Sequence, residues 1–191
     1  MILLASASPR RRELLERAGW PLRVRPAEVD ESVRRGEPPA AYVLRLAKAK
    51  ARALRPPRAG KGSVVLGADT TVALGRAILA KPASDAEAAA MLRRLAGRRH
   101  EVLTGVCLRD AGGREAAAVA VTRVWFAPLS ARRIAAYVAS GEPRDKAGAY
   151  AIQGGAAAFV RRIEGSYSNV VGLPIELIWR LWLELAAPAV G

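Results

Sequence analysis

Ser8-Pro9-Arg10-Arg11-Arg12 places three cations where the chain passes from the apolar run Ile2-Leu3-Leu4-Ala5 into a helical pattern. Cations in the first turn of a helix oppose its dipole, at a cost of about 0.3–1 kcal/mol each when nothing compensates them. A bound anion reverses that sign. Phosphate accepts from the backbone N–H groups of a helix start, and arginine adds a bidentate fork, so the arrangement suits a phosphate site. A solvated basic turn in an arginine-rich chain is the competing reading.

Lys50 is the second candidate. At about 100° per residue, Val43, Leu46, Ala47 and Leu54 share one helical stripe, with Lys50 at its centre and Lys48 outside it. A lysine on a buried face needs a carboxylate or phosphate partner, because an unpaired buried ammonium is costly, unless its stem snorkels to the edge of the core. Third, Asp69-Thr70 follows directly on Val64-Val65-Leu66-Gly67-Ala68. The end of a buried strand is where ligand clefts form in open α/β sheets, and Asp69 can hold a divalent ion or take a proton from water. Asp-Thr is also an ordinary turn pair. Fourth, the run from Asp145-Lys146 to Gln153-Gly154 is rich in small residues that let backbone approach a ligand. Gln153 offers both a donor and an acceptor, matching the N3–H and carbonyls of a uracil or thymine ring; an ordinary glycine-rich loop is the alternative.

Other polar and aromatic residues read as structural. His100 and Cys107 lie near or within a strand pattern without a third partner, which disfavours a Cys/His nucleophile. Trp179 and Trp182 fit packing positions of an amphipathic helix. No Walker-type loop or GxGxxG pattern occurs.

The elements that must position these residues follow from periodicity and punctuation. A short strand at Ile2–Ala5 precedes a helix capped by Ser8 with Pro9 at its first position, ending at Gly19. Leu22 and Val24 alternate with arginines as in an edge strand, and an acidic loop with Glu28, Asp30, Glu31 and Glu37 leads to a helix over Pro39–Leu54. A strand over Ser63–Ala68 is followed by a hairpin around Gly75-Arg76. Ser84 and Glu87 form a capping box, strands near 101–109 and 115–126 flank a turn, and Ser130 starts a helix ending at Gly141. A glycine-rich loop, a strand near 158–164 and a helix from Pro174 to Ala187 complete the chain. This mixture of hairpins and crossovers points to an α/β or α+β mixed sheet in one domain over residues 1–191.

Composition narrows the function classes. Half of the 191 residues are hydrophobic (51%) and 25% are charged, the pattern of a folded chain and not of a disordered one. The apolar opening is too short for a secretory signal, and Glu176, Arg180 and Glu184 mark the last helix as a surface helix, so no membrane association is expected. One cysteine excludes an internal disulfide, and a single histidine leaves no usual zinc ligand set, so any metal would be held by oxygen. The net charge of +14 admits polyanionic partners, yet only five of the 31 basic residues are lysine in an alanine- and arginine-rich chain, a bias that codon composition alone can produce.

Taken in order, Leu4-Ala5-Ser6-Ala7-Ser8-Pro9-Arg10-Arg11 with Glu13-Leu14-Leu15, Val29-Asp30-Glu31, Leu46-Ala47-Lys48-Ala49-Lys50-Ala51, Gly67-Ala68-Asp69-Thr70, Lys81-Pro82, Asp145-Lys146-Ala147-Gly148-Ala149-Tyr150 with Ile152-Gln153-Gly154, and Ile163-Glu164-Gly165-Ser166-Tyr167 with Val170-Val171-Gly172-Leu173-Pro174 resemble the Maf family of nucleoside triphosphate pyrophosphatases. The last two blocks look like the branch acting on dTTP and UTP. The resemblance implies a mixed twisted sheet with flanking helices, two lobes around a deep cleft, magnesium or manganese dependence, a cytoplasmic location and a homodimer. It further implies hydrolysis at the α-phosphorus. Asp69 would be the general base, Glu31 would bind the metal with Asp69 or orient water, and Ser8, Arg10, Arg11, Lys50 and Lys81 would hold the triphosphate. Lys146 would add a phosphate contact, with Thr70 and Gln153 on the base. Thr71, Ala80 and Ala151 depart from the residues usual at those positions. The alternatives are a purine-directed pyrophosphatase for inosine or xanthosine triphosphate, a nucleic-acid-binding module, and a regulator of cell division; beside an enzymatic role, nucleic-acid binding would be weak and non-specific.

Overall fold

The computed structural model describes residues 1–56 and 62–187. Strand β1 (Ile2–Leu4) pairs in parallel with β2 (Leu22–Val24) on one side and with β3 (Val64–Leu74) on the other. Parallel neighbours require crossover connections, and helices α1 (Pro9–Arg17) and α2 (Pro39–Arg52) occupy them. Strand β3 turns back into β4 (Ala77–Leu79) as an antiparallel hairpin with Val72 opposite Leu79, as the Gly75-Arg76 turn predicts. Strands β5 (Arg99–Asp110) and β6 (Glu115–Phe126) follow, and β7 (Val160–Glu164) runs antiparallel to β6. The result is a mixed seven-stranded sheet of order β2-β1-β3-β5-β6-β7, with β4 on β3. The remaining helices are α3 (Asp85–Leu95), α4 (Ala131–Ala139), the short α5 (Tyr167–Val171) and α6 (Ile175–Ala186). No helix among the described residues is long and apolar enough to cross a membrane.

The chain divides into two compact units: the described residues of Met1–Asp69, Thr104–Ala120 and Gly172–Gly191, and those of Thr70–Leu103 and Val121–Val171. In the first unit β1 and the first half of β3 are buried on both faces, which is why they read as continuous apolar runs, whereas β2 at the sheet edge is mostly exposed. Ile2, Leu4, Leu66, Val106 and Leu108 pack with Leu15 of α1 and Leu177, Ile178 and Leu181 of α6. Alternate residues Leu3, Ala5, Val65 and Cys107 pack with Ala47, Ala51 and Leu54 on the α2 side. Two glycines seat α2. A Cβ on Gly67 would lie 2.1 Å from the Ala47 carbonyl oxygen, and one on Gly105 would lie 2.2 Å from that of Val43. Only hydrogen fits there. Trp20 meets Trp182 edge-on at 5.0 Å, the structural role the helix pattern suggested, and meets the exposed Trp179 edge-on at 5.9 Å.

The second unit is held by an aromatic cluster, in which Phe126 meets His100 and Tyr150 edge-on at 4.8 Å each, and Tyr137 meets Phe159 at 5.0 Å. Asn169, fully buried, donates from Nδ2 to the Val102 carbonyl and to Thr122 Oγ1, tying α5 to β5 and β6. Ser130 caps α4 by accepting from the Arg133 N–H. Ser84 caps α3 by accepting from the Glu87 N–H, while the Glu87 carboxylate reaches Ala83 N–H, one residue before the cap.

Three local expectations change. Strand β3 does not stop at Ala68 but runs 11 residues, so Asp69 and Thr70 lie inside it. Thr70, Thr71 and Val72 are β-branched and suit a strand, and pairing of Val72–Leu74 with β4 extends it. Ser8 stands at the α1 N-cap but makes no side-chain cap; its own N–H donates to Ser6 Oγ instead. The glycine-rich stretch folds into 3-10 turns over Glu142–Asp145, Ala147–Ala149 and Gly155–Phe159.

Candidate functional site

In the first unit, Lys50 is buried, as its place on the apolar stripe requires, and its Nζ lies 2.7 Å from Asp69 Oδ1 and 2.6 Å from Glu31 Oε1. One ammonium therefore bridges a buried carboxylate on β3 and a half-exposed one on the acidic loop. Helix α2 sets this geometry twice over. It brings Lys50 against β3 through the contact at Gly67, and it fastens the acidic loop: Tyr42 Oη donates to the Glu31 carbonyl at 3.0 Å, and Arg45 grips both oxygens of Glu37 at 2.7 Å while donating to the Ser32 carbonyl. The Arg45 guanidinium holds the Glu37 carboxyl down at about 2. No pattern in the sequence marks Tyr42 and Arg45, whose contacts with the acidic loop are tertiary.

Arg11 is buried at the start of α1. Its Nη1 donates to Ser6 Oγ and to the Ala68 carbonyl, and its Nε donates to the Gly172 carbonyl, each at 2.9–3.0 Å. It thus anchors the strand residue immediately before Asp69. Arg10 is half-buried, whereas Arg12 is exposed and paired with Glu16 one turn along, so the three arginines part company. Burial pulls the Arg11 guanidinium below its ordinary pKa against the opposing charge of Asp69. Burial also raises Asp69 above the ordinary aspartate range, although Lys50 and Arg11 both draw it down. Desolvation outweighs the neighbouring charges, which makes this carboxylate a better proton acceptor than a surface aspartate.

Thr70, Lys81, Lys146 and Gln153 belong to the second unit. Thr70 is half-buried in β3, Lys81 is exposed after β4, and Gln153 is exposed. Lys146, mostly buried, forms an ion pair with Asp145. The Gly148 N–H donates to the Ala80 carbonyl at 3.3 Å, which fastens the loop carrying Lys146 and Gln153 beside the residue preceding Lys81. Gly148 is required there, since its φ is +68° and a Cβ would lie 2.8 Å from Val72. Ala149 takes a positive φ of 60° without being glycine. The structure therefore gathers Arg11, Lys50, Asp69 and Glu31 in one unit and ties the Lys146–Gln153 loop to the Lys81 segment in the other.

The two residues set aside in the sequence are inert in the structure. Burial lowers His100 to about 4, and its Nε2 is engaged with Tyr150 Oη at 2.9 Å. Burial pushes the Cys107 thiol up to about 12. Neither a charged imidazole nor a thiolate exists near neutral pH.

A family model described as Maf-like protein matches residues 1–185. Among curated relatives, a dTTP/UTP pyrophosphatase of Anaeromyxobacter dehalogenans is 56% identical, over 91% of this chain and 88% of that protein. One of Sphingopyxis alaskensis is 53% identical, over 91% and 90%. One of Symbiobacterium thermophilum is 50% identical, over 98% and 95%. Nearly the whole length of the chain is thus matched by both kinds of comparison, and the chain belongs to the Maf-like protein family.

Proposed function

We propose that this chain is a nucleoside triphosphate pyrophosphatase that hydrolyses dTTP and UTP to the monophosphate and pyrophosphate. The observation that carries the reading is the buried Lys50–Asp69 pair with Glu31 on the same ammonium, in a chain 50–56% identical to relatives of that name. Water attacks the α-phosphorus and Asp69 accepts its proton, a task suited to a desolvated carboxylate with a raised pKa. Lys50 orients both carboxylates and offsets negative charge as the pyrophosphate leaves. Ser8, Arg10 and Arg11 receive the phosphates at a helix start with no acidic residue in its first turn and no side-chain cap. Lys81 and Lys146 add phosphate contacts, while Thr70 and Gln153 read the base.

Glu31 and Asp69 fit a divalent cation in donor chemistry, since both supply hard oxygen and magnesium commonly takes one or two carboxylates and completes its shell from substrate phosphates. Among the described residues no group of three or more His, Cys, Asp or Glu could hold a metal alone, so magnesium or manganese would be shared with the triphosphate. When bound, the ion supplies charge neutralisation on the phosphoryl oxygens. The proposal includes a cytoplasmic location and a homodimer, supported by the Maf resemblance. The test is pyrophosphate release from a panel of ribo- and deoxyribonucleoside triphosphates with magnesium or manganese. Cleavage of dTTP and UTP above all others is the expected result, and failure to cleave either sinks the reading.

A further inference from the structure

Gln153 is exposed, yet the backbone on both sides of it is pinned by two side chains from one short stretch of chain. The Ala151 N–H donates to Tyr137 Oη at 3.0 Å, and Tyr137 Oη donates in turn to Glu142 Oε1 at 2.6 Å. The other carboxylate oxygen, Oε2, accepts from the Gly155 N–H at 3.0 Å. The two pinned amides lie two residues before and two residues after Gln153. Gly154 completes the fit: a Cβ there would lie 2.3–2.4 Å from the Glu142 carboxylate, so glycine is needed for the carboxylate to reach the loop. All of these groups belong to the second unit.

The supports are themselves fixed. Tyr137 lies on the buried face of α4 and packs edge-on against Phe159. Glu142 opens the turn after Gly141, whose φ of +76° redirects the chain at the end of α4, and its N–H donates to Ser140 Oγ. Tyr150, at the near end of the loop, is buried and bonded to His100. The hydroxyl of Tyr137 gives its one proton to Glu142 and accepts the Ala151 N–H, so the amide, phenol, carboxylate and second amide form one chain of mutually polarising bonds.

We propose that Tyr137 and Glu142 are positioning residues for base selection, clamping the Ala151–Gly155 segment so that Gln153 meets a uracil or thymine edge and not a cytosine edge. The inference rests on the base-reading part of the proposed function. An amide side chain exchanges its donor and acceptor by rotating its last torsion, so glutamine alone does not distinguish the N3–H and O4 of uracil from the N3 and N4 amino group of cytosine. The two bases are told apart only when one of the two amide orientations is favoured, and which one is favoured depends on the groups against which the backbone brings the amide; the clamp fixes that backbone at both ends. Neither residue touches substrate in this scheme.

The test uses the full chain with Tyr137→Phe, Glu142→Ala and Gln153→Ala, alone and combined. Loss of one clamp bond is expected to lower the UTP-to-CTP ratio of kcat/KM about 10-fold, chiefly through KM for UTP. In the Gln153→Ala background the clamp substitutions are expected to change that ratio no further, because Gln153 is the group they act through. Amide exchange at Ala151 and Gly155 is expected to speed up in both clamp variants, a readout that needs no substrate; Glu142→Ala serves where Tyr137→Phe does not fold. Unchanged exchange, an unchanged ratio, or an equal fall in the Gln153→Ala background overturns the clamp. Failure of the parent protein to cleave UTP overturns the activity instead, and leaves exchange at the two amides to decide whether the clamp exists.

Discussion

Lys50 and Asp69 are buried, 2.7 Å apart, and held by charge and by helix packing; Gln153 is exposed, and its place is set through backbone amides at Ala151 and Gly155. The first arrangement suits a fixed task. Desolvation strengthens every charge within it and raises the proton affinity of Asp69. The second suits a choice between similar rings, where the orientation of one amide, its donor or its acceptor toward a given edge atom, separates one base from another. Damage to the first region should therefore lower turnover for every substrate, and damage to the second should change which substrate is preferred.

The sharpest break is Asp69→Asn, which retains shape but not basicity. Pyrophosphate release should fall by about 10³-fold for dTTP and UTP alike, leaving the ratio between bases unchanged. A change confined to one base would erase the contrast between the regions. The same variant has a pH signature in stability. The folded pKa of Asp69 is raised, so the folded state binds more protons than the unfolded one across the interval above 3.8. The stability Asp69 contributes is thus lost as pH rises through its folded pKa, and the melting temperature of Asp69→Asn relative to the parent should improve over that interval. In activity, the acid limb should lie above the ordinary aspartate range. Because Lys50 draws Asp69 down, the limb should move to still higher pH in Lys50→Met.

Gly67→Ala tests whether packing sets the charge geometry. Its methyl would meet the Ala47 carbonyl at 2.1 Å and the Ala51 nitrogen at 2.6 Å, both backbone atoms, so α2 must move and carry Lys50 with it. The expected cost is about 1–3 kcal/mol in stability, with kcat reduced on the order of 10²-fold from displacement of the lysine. Full activity would show that Lys50 tolerates its helix moving.

Gln153→Ala is the counterpart in the second region. Its loss should weigh on UTP and dTTP more than on CTP, lowering the ratio of kcat/KM by about 10-fold, the worth of roughly one hydrogen bond. A uniform fall across bases would move Gln153 from base reading to phosphate or metal support.

Legibility in the sequence divides along the same line. Lys50 was readable because a 3.6-residue period places it among Val43, Leu46, Ala47 and Leu54, and a buried ammonium requires a partner. Its partners were harder to see. Glu31 approaches only because Tyr42 and Arg45 pull the acidic loop onto α2, a tertiary tether without local pattern. Asp69-Thr70 reads as the pair that follows the strand because aspartate is uncommon within strands, but the pairing with β4 two residues later keeps the strand going. Gly67 and Gly105 carry no signal until it is known which helix crosses which strand. Tyr137 and Glu142 sit five residues apart across a helix end, so no periodicity links them; their connection exists only through the amides of the loop they hold.

The smallest expected effect separates neighbours within one motif. Arg11 and Arg12 are consecutive, yet Arg11 is buried on the carbonyls of Ala68 and Gly172, whereas Arg12 points to solvent and pairs with Glu16 at 2.7 Å. An exposed pair one turn apart on a helix contributes little, and a cation so near a helix start opposes the dipole, so the two contributions of Arg12 work against each other. Arg12→Ala should keep the melting temperature and the KM for UTP of the parent. A several-fold rise in KM would instead assign Arg12 to the incoming phosphates, and the cationic site at the start of α1 would then extend past the buried arginine onto the open face of the helix.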